Sequence, residues 1–337
     1  MGLCGYPPVH IAVLCIVVVA STVPAFAQNA ESVGGRAAGM GGAFVAVASD
    51  SSATWWNPAG IAAGPFIDVA LAYARVEAKD ELPVWRQRAS SFALATPPFA
   101  VSYYRFRITD IQPFNPTGRD TLDREERRAG VPVSSLSANQ IGLTLVQTLI
   151  PGIHAGATVK YVRGTFHAGR EDSLADPGDL LDRGDAFDQG STEGRFDLDV
   201  GLLAVRGPLR VGARMRNVTE PEFGPARLPR QTRVGFAFDP EPVTGLPLTI
   251  AVDADVNRYA SGSGMRRVVA IGAEQWLMDR RLGIRAGGRI NTAGAQERAV
   301  TGGASVAVRA GLYVDGHVTH GRQADERGWG IGARVSF

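Results

Sequence analysis

Lysine is almost missing from this sequence. Lys79 and Lys160 are the only two, so nearly all the positive charge is arginine. Arginine stays charged and forks onto carboxylates, which suits ion pairs in semi-enclosed places. A large charge of one sign is missing as well: the formal net charge is +2, which leaves no electrostatic case for nucleic acid as a partner. Cysteine is confined to Cys4 and Cys15. If that leading part is removed, disulfide staples, cysteine nucleophiles and thiolate metal sites are excluded together. Downstream of Gln28 no apolar run reaches the roughly 18 residues of a spanning helix. Catalytic motifs are missing too. His154, His167, His317 and His320 stand in neither an H-E-x-x-H nor a G-x-S-x-G context, so the chain does not read as an enzyme, and neither a cofactor nor a metal is expected.

What is present begins with a leader. Ile11 to Val23 is an apolar run, followed by Pro24-Ala25-Phe26-Ala27-Gln28. The run is too short to span a bilayer as a helix, and Ala25-Phe26-Ala27 has the small-x-small form of a signal-peptidase site. Residues 1–27 therefore read as a signal peptide, although no Lys or Arg precedes Ile11. An exported chain without spanning helices is a soluble secreted protein or an outer-membrane barrel, and the strand pattern discriminates between them.

From Phe66 onward the sequence falls into segments of about ten residues that alternate apolar with polar or small, each bounded by turn residues. Leu282, Ile284, Ala286 and Ile290 alternate with Arg281, Gly283, Arg285, Gly287 and Arg289. Leu209, Val211, Ala213 and Met215 alternate with Arg210, Gly212, Arg214 and Arg216; Phe196, Leu198, Val200 and Leu202 with Asp197, Asp199 and Gly201; and Leu248, Ile250, Val252 and Val256 with Thr249, Asp253, Asp255 and Asn257. A sandwich with one solvated face permits this alternation, but the connections favour a barrel. About fourteen strands are counted, an even number as bacterial single-chain barrels require. Pro97-Pro98, Pro151-Gly152, Arg206-Gly207-Pro208, Met278-Asp279-Arg280 and Arg309-Ala310-Gly311 read as tight turns at one end. Longer links, notably Ile108 to Leu136 and Thr165 to Gly194, fall at the other. Asp239 to Pro247 is the exception, a longer link on the tight-turn side.

The expected fold class is thus all-β, a transmembrane antiparallel barrel over residues 66–337. The polar faces then point into the lumen, since an Arg on the lipid face costs about 2 to 4 kcal/mol at mid-depth. Adjacent strands are expected to bring Asp197 and Asp199 near Arg210 and Arg214, and Glu274 near Arg285, with Asp253 and Asp255 as further lumen charges. Scaffold ion pairs are the simpler reading of these residues and ion selectivity the sharper one.

Residues 28–65 do not fit a strand. Gly34 to Gly60 is too rich in Gly and Ala for a barrel strand, and with Phe44, Trp55 and Trp56 too apolar for a linker. It is expected inside the barrel as a plug, where Gly and Ala allow close packing, Asn57-Pro58 forces a turn and the indoles meet polar groups of the lumen. A phosphate-cradling loop would need a βαβ unit that this position does not offer. Two charged stretches read as solvated loops. One is Asp123 to Arg128. The other is Glu171 to Gly190, where Asp176, Asp179, Asp182, Asp185 and Asp188 recur at every third position without a calcium-loop spacing, and where Pro177, Gly178, Gly184 and Gly190 oppose a regular helix.

The run Gly35-Arg36-Ala37-Ala38-Gly39-Met40-Gly41-Gly42-Ala43-Phe44-Val45-Ala46-Val47-Ala48, followed by Ala53-Thr54-Trp55-Trp56-Asn57-Pro58-Ala59-Gly60, resembles the N-terminal signature of the FadL-like and PorV-like (PorV/PorQ) outer-membrane proteins. The C-terminal alternation Trp329, Ile331, Ala333, Val335, Phe337 resembles the strand signal by which the barrel assembly machinery recognises such proteins. The resemblance implies a Gram-negative outer-membrane barrel of fourteen strands with an N-terminal hatch, surrounded by outer-membrane lipid and lipopolysaccharide. On the FadL side it implies passive transport of hydrophobic compounds such as long-chain fatty acids, and Arg36, Met40, Phe44, Trp55, Trp56, Asn57 and Pro58 become the candidate hatch and ligand contacts. On the PorV side it implies a secretion-associated platform that handles secreted proteins without solute transport.

Overall fold

The structure is a computed structural model. It describes residues 32–79, 84–111, 130–171, 175–187, 190–261, 264–322 and 326–337. The leader and the Asp123–Arg128 cluster lie outside these residues.

Among the described residues eighteen strands follow in chain order. They are β1 (Asp68–Ala78), β2 (Val84–Thr96), β3 (Phe99–Ile111), β4 (Val131–Ile150), β5 (Ile153–Glu171), β6 (Ser191–Arg206), β7 (Leu209–Arg216), β8 (Glu222–Phe223), β9 (Ala226–Arg227), β10 (Gln231–Phe238), β11 (Leu248–Asp255), β12 (Tyr259–Ser261), β13 (Gly264–Arg266), β14 (Val268–Leu277), β15 (Leu282–Asn291), β16 (Arg298–Arg309), β17 (Leu312–Gly321) and β18 (Arg327–Ser336). The pairs β8–β9 and β12–β13 are small separate ribbons, and the other fourteen strands form one closed antiparallel barrel. Closure joins β1 to β18, with Asp68 opposite Ser336. It continues past the strand ends, where the Ile67 and Phe337 backbones exchange hydrogen bonds of 3.1 and 2.9 Å. A closed barrel has no free edge, so every backbone pair in the wall is made within the protein.

The alternation read from the sequence is the alternation of the wall. Ile284, Val211, Phe196, Leu202, Ile250 and Val252 are exposed on the outside, while Arg285, Arg214, Asp197, Asp199 and Asp253 are buried inside. Among the described residues no helix is long and apolar enough to cross a membrane. The longer link 239–247 contains a one-turn helix, Glu241–Thr244, ended by Gly245 at φ 70°.

Two expectations about the loop end need correction. The strands run further than the alternation indicated: β3 extends to Ile111 and β4 starts at Val131, so the link between them is shorter than Ile108–Leu136. The stretch expected to resist helix formation holds the helix Pro177–Ala186. Pro177 stands in the first turn, where its missing N–H is no loss, and the Asp176 carboxylate accepts from Gly178 N at 2.8 Å as the cap. Gly184 lets the helix press onto the wall: a Cβ there would lie 2.5 Å from Thr109 Cγ2. Thr109 shares its face of β3 with exposed Phe99, Val101 and Tyr103, so this helix packs on the outside of the barrel. Leu180 and Leu181 are buried against Val84, Ile111, Val131 and Val133. Asp185 meets Arg86 at 3.0 Å and Arg88 at 2.8 Å, and Asp182 meets Arg86 at 2.5 Å. The regular acidic spacing is therefore in part a helix face that grips arginines. The Arg86 hydrogen bond holds the Asp182 carboxyl below the usual carboxylate range.

Candidate functional site: an N-terminal segment enclosed by the barrel

Residues 32–65 cross the barrel interior as three short helical turns, Gly35–Gly39, Ala53–Trp56 and the 3-10 turn Pro58–Ala63, joined by tight bends. Sequence dictates this shape. Gly41 and Gly42 take φ of 70° and 86°, in the region other residues avoid. Asn57 is extended, and its side chain accepts from Ala59 N at 3.2 Å to start the turn that Pro58 opens.

The segment runs along a track of small wall residues. A Cβ added to Gly156 would lie 2.5 Å from Ala59 N, and one added to Gly212 2.5 Å from Val45 O. Side chains at Gly201, Gly272 and Gly287 would strike Asn57 and Met40. Glycines on the inward face of the alternation, Gly212 and Gly287 among them, are where wall backbone meets segment backbone.

Polar contacts hold the segment at both sides. Arg36 donates to Glu274 at 3.0 and 2.6 Å and to Asp50 at 2.8 Å. Glu274 also pairs with Arg285 at 2.6 Å, as the register places them opposite each other. Arg334 stands 3.9 Å from each of Asp50, Asp68 and Asp315, completing an alternating cluster of guanidinium and carboxylate groups. Burial alone would weaken the Arg36 cation, but Glu274 and then Asp50 hold its pKa above the ordinary value. Burial likewise works against the Asp50 carboxylate, and Arg36 and Arg334 reverse it, so Asp50 stays below the usual range. Elsewhere Asp253 accepts from the Phe44 and Val45 amides, both at 2.8 Å, and Arg233 bridges Asp255 at 2.6 Å and Gly42 O at 3.3 Å.

The aromatic residues pack tightly. Trp55 lies between the Arg216 guanidinium, 3.3 Å from its ring centroid, and Phe106 at 4.8 Å, with Tyr104 at 5.0 Å. Such cation–π contacts strengthen when desolvated. Phe44 meets Trp56 edge-on at 6.0 Å. Trp56 Nε1 donates to Val33 O at 2.8 Å, an acceptor of its own segment rather than a lumen side chain. Asn57 Nδ2 donates to Val45 O and to Leu202 O, both at 2.9 Å, which ties the segment to itself and to β6.

The seven segment residues singled out in the sequence are thus brought together and enclosed. Met40, Phe44, Trp55, Trp56, Asn57 and Pro58 are buried, and Arg36 is nearly so. One expected pairing is corrected. Asp197 and Asp199 do not meet Arg210 and Arg214, because the register sets Val200 opposite Met215 and places the arginines lower in the wall. Both aspartates instead bind Lys160, at 3.1 and 2.7 Å, and cap the amides of Thr219 and Asn217 at 3.0 and 2.8 Å. Arg210 pairs with Asp239 at 2.9 Å, and Arg214 donates to Trp55 O at 3.1 Å. Sequence reading missed Asp50, Lys160, Arg216, Arg233, Asp315 and Arg334. Each has the inward parity of its strand except Asp50, which belongs to the segment.

Towards the long-loop end the lumen changes character. Inward-facing Ile108, Leu136, Ala138, Val162 and Phe166 form an apolar cluster. The chain after short β7 leaves the wall, with Asn217 at φ 52°, and its β8–β9 ribbon places Phe223, Ala226 and Leu228 on this cluster. Phe223 lies over Gly164, where any side chain would displace it. Among the described residues no group of His, Cys, Asp and Glu is placed to hold a metal ion.

These features define a closed fourteen-stranded barrel around an enclosed N-terminal segment. No protein-family model matches the chain, and no curated protein matches it in sequence. Solved structures do share its fold. The toluene transporter TbuX of Ralstonia pickettii superposes with a TM-score of 0.65 at 15% identity, over 92% of this chain and 99% of that one. The monoaromatic hydrocarbon channel CymD gives 0.65 at 14% identity with the same coverage. The toluene transporter TodX of Pseudomonas putida gives 0.58 at 14%, over 93% and 98%.

Proposed function

We propose that this chain is an outer-membrane barrel of the FadL type that passes hydrophobic compounds inward without an energy source, with residues 28–65 as its hatch. The observation that carries the reading is the combination of a largely enclosed segment with an apolar luminal cluster above it, Ile108, Leu136, Ala138, Val162 and Phe166. Its fold is shared over nearly its whole length with proteins described as toluene and monoaromatic hydrocarbon channels. In this reading the leader directs export and Phe337 ends the strand that the assembly machinery recognises. A small apolar ligand enters among the long loops, exchanges with Phe223 on the cluster, and leaves past the hatch when the hatch shifts. Substrates span monoaromatic hydrocarbons to long-chain fatty acids, for which the apolar luminal cluster offers burial at about 25 cal/mol per Å².

The test is uptake of radiolabelled toluene and of a labelled long-chain fatty acid by cells with and without the protein, repeated after deletion of Gly34 to Gly60. Faster uptake of at least one label with the intact chain, altered by the deletion, is expected. Equal uptake from cells that carry a heat-modifiable barrel in the outer-membrane fraction would overturn the transport reading. Capture of a secreted protein by crosslinking to the loops would then favour a PorV-like platform.

A further inference from the structure

The outer wall carries a basic cluster that the lumen does not explain. Arg298 opens β16, Arg322 follows β17, and the Arg322 amide donates to Arg298 O at 2.9 Å, so the two arginines stand side by side. His320 lies opposite Val300 on one side and opposite Arg327 on the other. All four basic residues are exposed and have outward parity, alternating with buried Ala299, Thr319 and Gly328. Like charges placed side by side across a strand pair are unfavourable unless an anion separates them. Two nearby acids turn inward, Glu297 to buried Arg266 at 3.8 Å and Glu326 to buried Arg289, and Asp325 lies outside the described residues. Among the described residues no carboxylate pairs with Arg298 or Arg322. Directly below lies bare apolar wall: Val300, Val318, Trp329 and Ile331 are 63, 62, 49 and 55% exposed.

We propose that Arg298 and Arg322, with His320 beside them, bind the phosphate of a phosphorylated glycolipid of the outer leaflet, of the lipid A type. Guanidinium groups take phosphate oxygens in bidentate pairs. The strand ends place the cluster on the long-loop side, at the upper edge of the apolar band, where the headgroups of the outer leaflet lie. The acyl chains run down over Val300, Val318 and Trp329. A free anion would use only the upper half of this arrangement and a neutral lipid only the lower.

The purified full-length barrel in detergent is titrated with fluorescent lipid A, with its dephosphorylated form, and with inorganic phosphate as competitor. Arg298→Gln/Arg322→Gln is expected to weaken lipid A binding by about tenfold or more, and Arg206→Gln/Arg309→Gln, at the tight-turn rim, to leave it unchanged. Lipid A bound equally well by the first variant, or the dephosphorylated lipid bound as tightly as lipid A, overturns the proposal. Displacement by equimolar phosphate also overturns it, in favour of a free-anion site. If the glutamine variant gives no heat-modifiable barrel, Arg298→Lys/Arg322→Lys decides. Its loss of the bidentate fork is expected to cost several-fold in affinity, and wild-type affinity counts against the assignment. The readout is binding and not uptake, so it stands or falls separately from the transport reading.

Discussion

The enclosed segment is held at two edges by different physics. At one edge the turn Gly35–Gly39 lies against β15 to β18, and the attachment is ionic, with Arg36, Asp50, Glu274, Arg285, Asp315 and Arg334 alternating in sign. At the other, Pro58–Ala63 lies against β4 to β6, where Gly156 and Gly201 admit backbone to backbone and Asn57 makes neutral hydrogen bonds. Steric fit of the second kind is lost only by changing shape. Buried ion pairs are lost by changing protonation or removing one partner, and then sharply, since the remaining charge is left uncompensated. A segment held this way has an ionic edge that can be released and a steric edge that cannot, and Asn57–Pro58 lies on the steric one.

The largest expected effect breaks the ionic edge. Glu274 is the shared acceptor of Arg36 and Arg285, so Glu274→Ala removes the carboxylate between two buried guanidinium groups and leaves them only Asp50 and the more distant Asp315 as counter-charges. A loss of about 3 to 5 kcal/mol of stability is expected, read as a lower midpoint of urea unfolding in detergent. Glu274→Gln, which keeps shape and one acceptor, is expected to lose less. Equal loss in both variants would mean that shape, not charge, holds this edge as it does the other.

The two edges were unequally legible in the sequence. Wall strands announced themselves, because a surface that is apolar outside and polar inside imposes a period of two over many residues, as in Leu282 to Ile290. Glu274 and Arg285 could be paired because their strands are joined by a tight turn that sets the register. The Asp197 and Asp199 partners could not be read, because β7 is only half as long as β6 and Lys160 arrives from β5 on the other side. Asp50 was passed over because nothing local distinguishes a carboxylate in a bend from a solvated one. Its partners, Arg36 and Arg334, are distant in sequence. The helix Pro177–Ala186 was hidden by its own glycine: Gly184 lowers helix propensity and is also the point of contact with Thr109.

The fixed edge is tested by volume. At Gly156 a side chain would drive into the Pro58–Ala59 backbone, so Gly156→Leu is expected to cost about 1 to 3 kcal/mol by overpacking. It is also expected to expose Pro58–Ala63 to protease in a barrel that remains heat-modifiable. Gly207→Leu is the control, since a side chain there would meet nothing within 4 Å although its φ is +57°. Its loss is expected to be confined to the turn, without new cleavage in the segment.

The smallest effect sharpens the contrast by pH. Asp50 is held below its ordinary value of 3.8, chiefly by Arg36 and Arg334 against the opposing pull of burial. A carboxyl with a lowered folded-state pKa stabilises the fold above its unfolded pKa, and that contribution fades as pH falls through the folded value. From Asp50 itself no change is expected between pH 7 and about 5. Below 3.8 the Arg36–Asp50 pair weakens first, and the Gly35–Gly39 edge loosens while the Asn57–Ala63 edge, which lacks a titrating group, stays packed. Pepsin digestion over this range, followed by mass mapping, should therefore produce early cuts around Phe44 and later ones beyond Trp56. Asp50→Asn should bring the early cuts forward to neutral pH when another protease is used there. Simultaneous cleavage at both edges would show that the segment leaves as one body and that the two attachments are not separable.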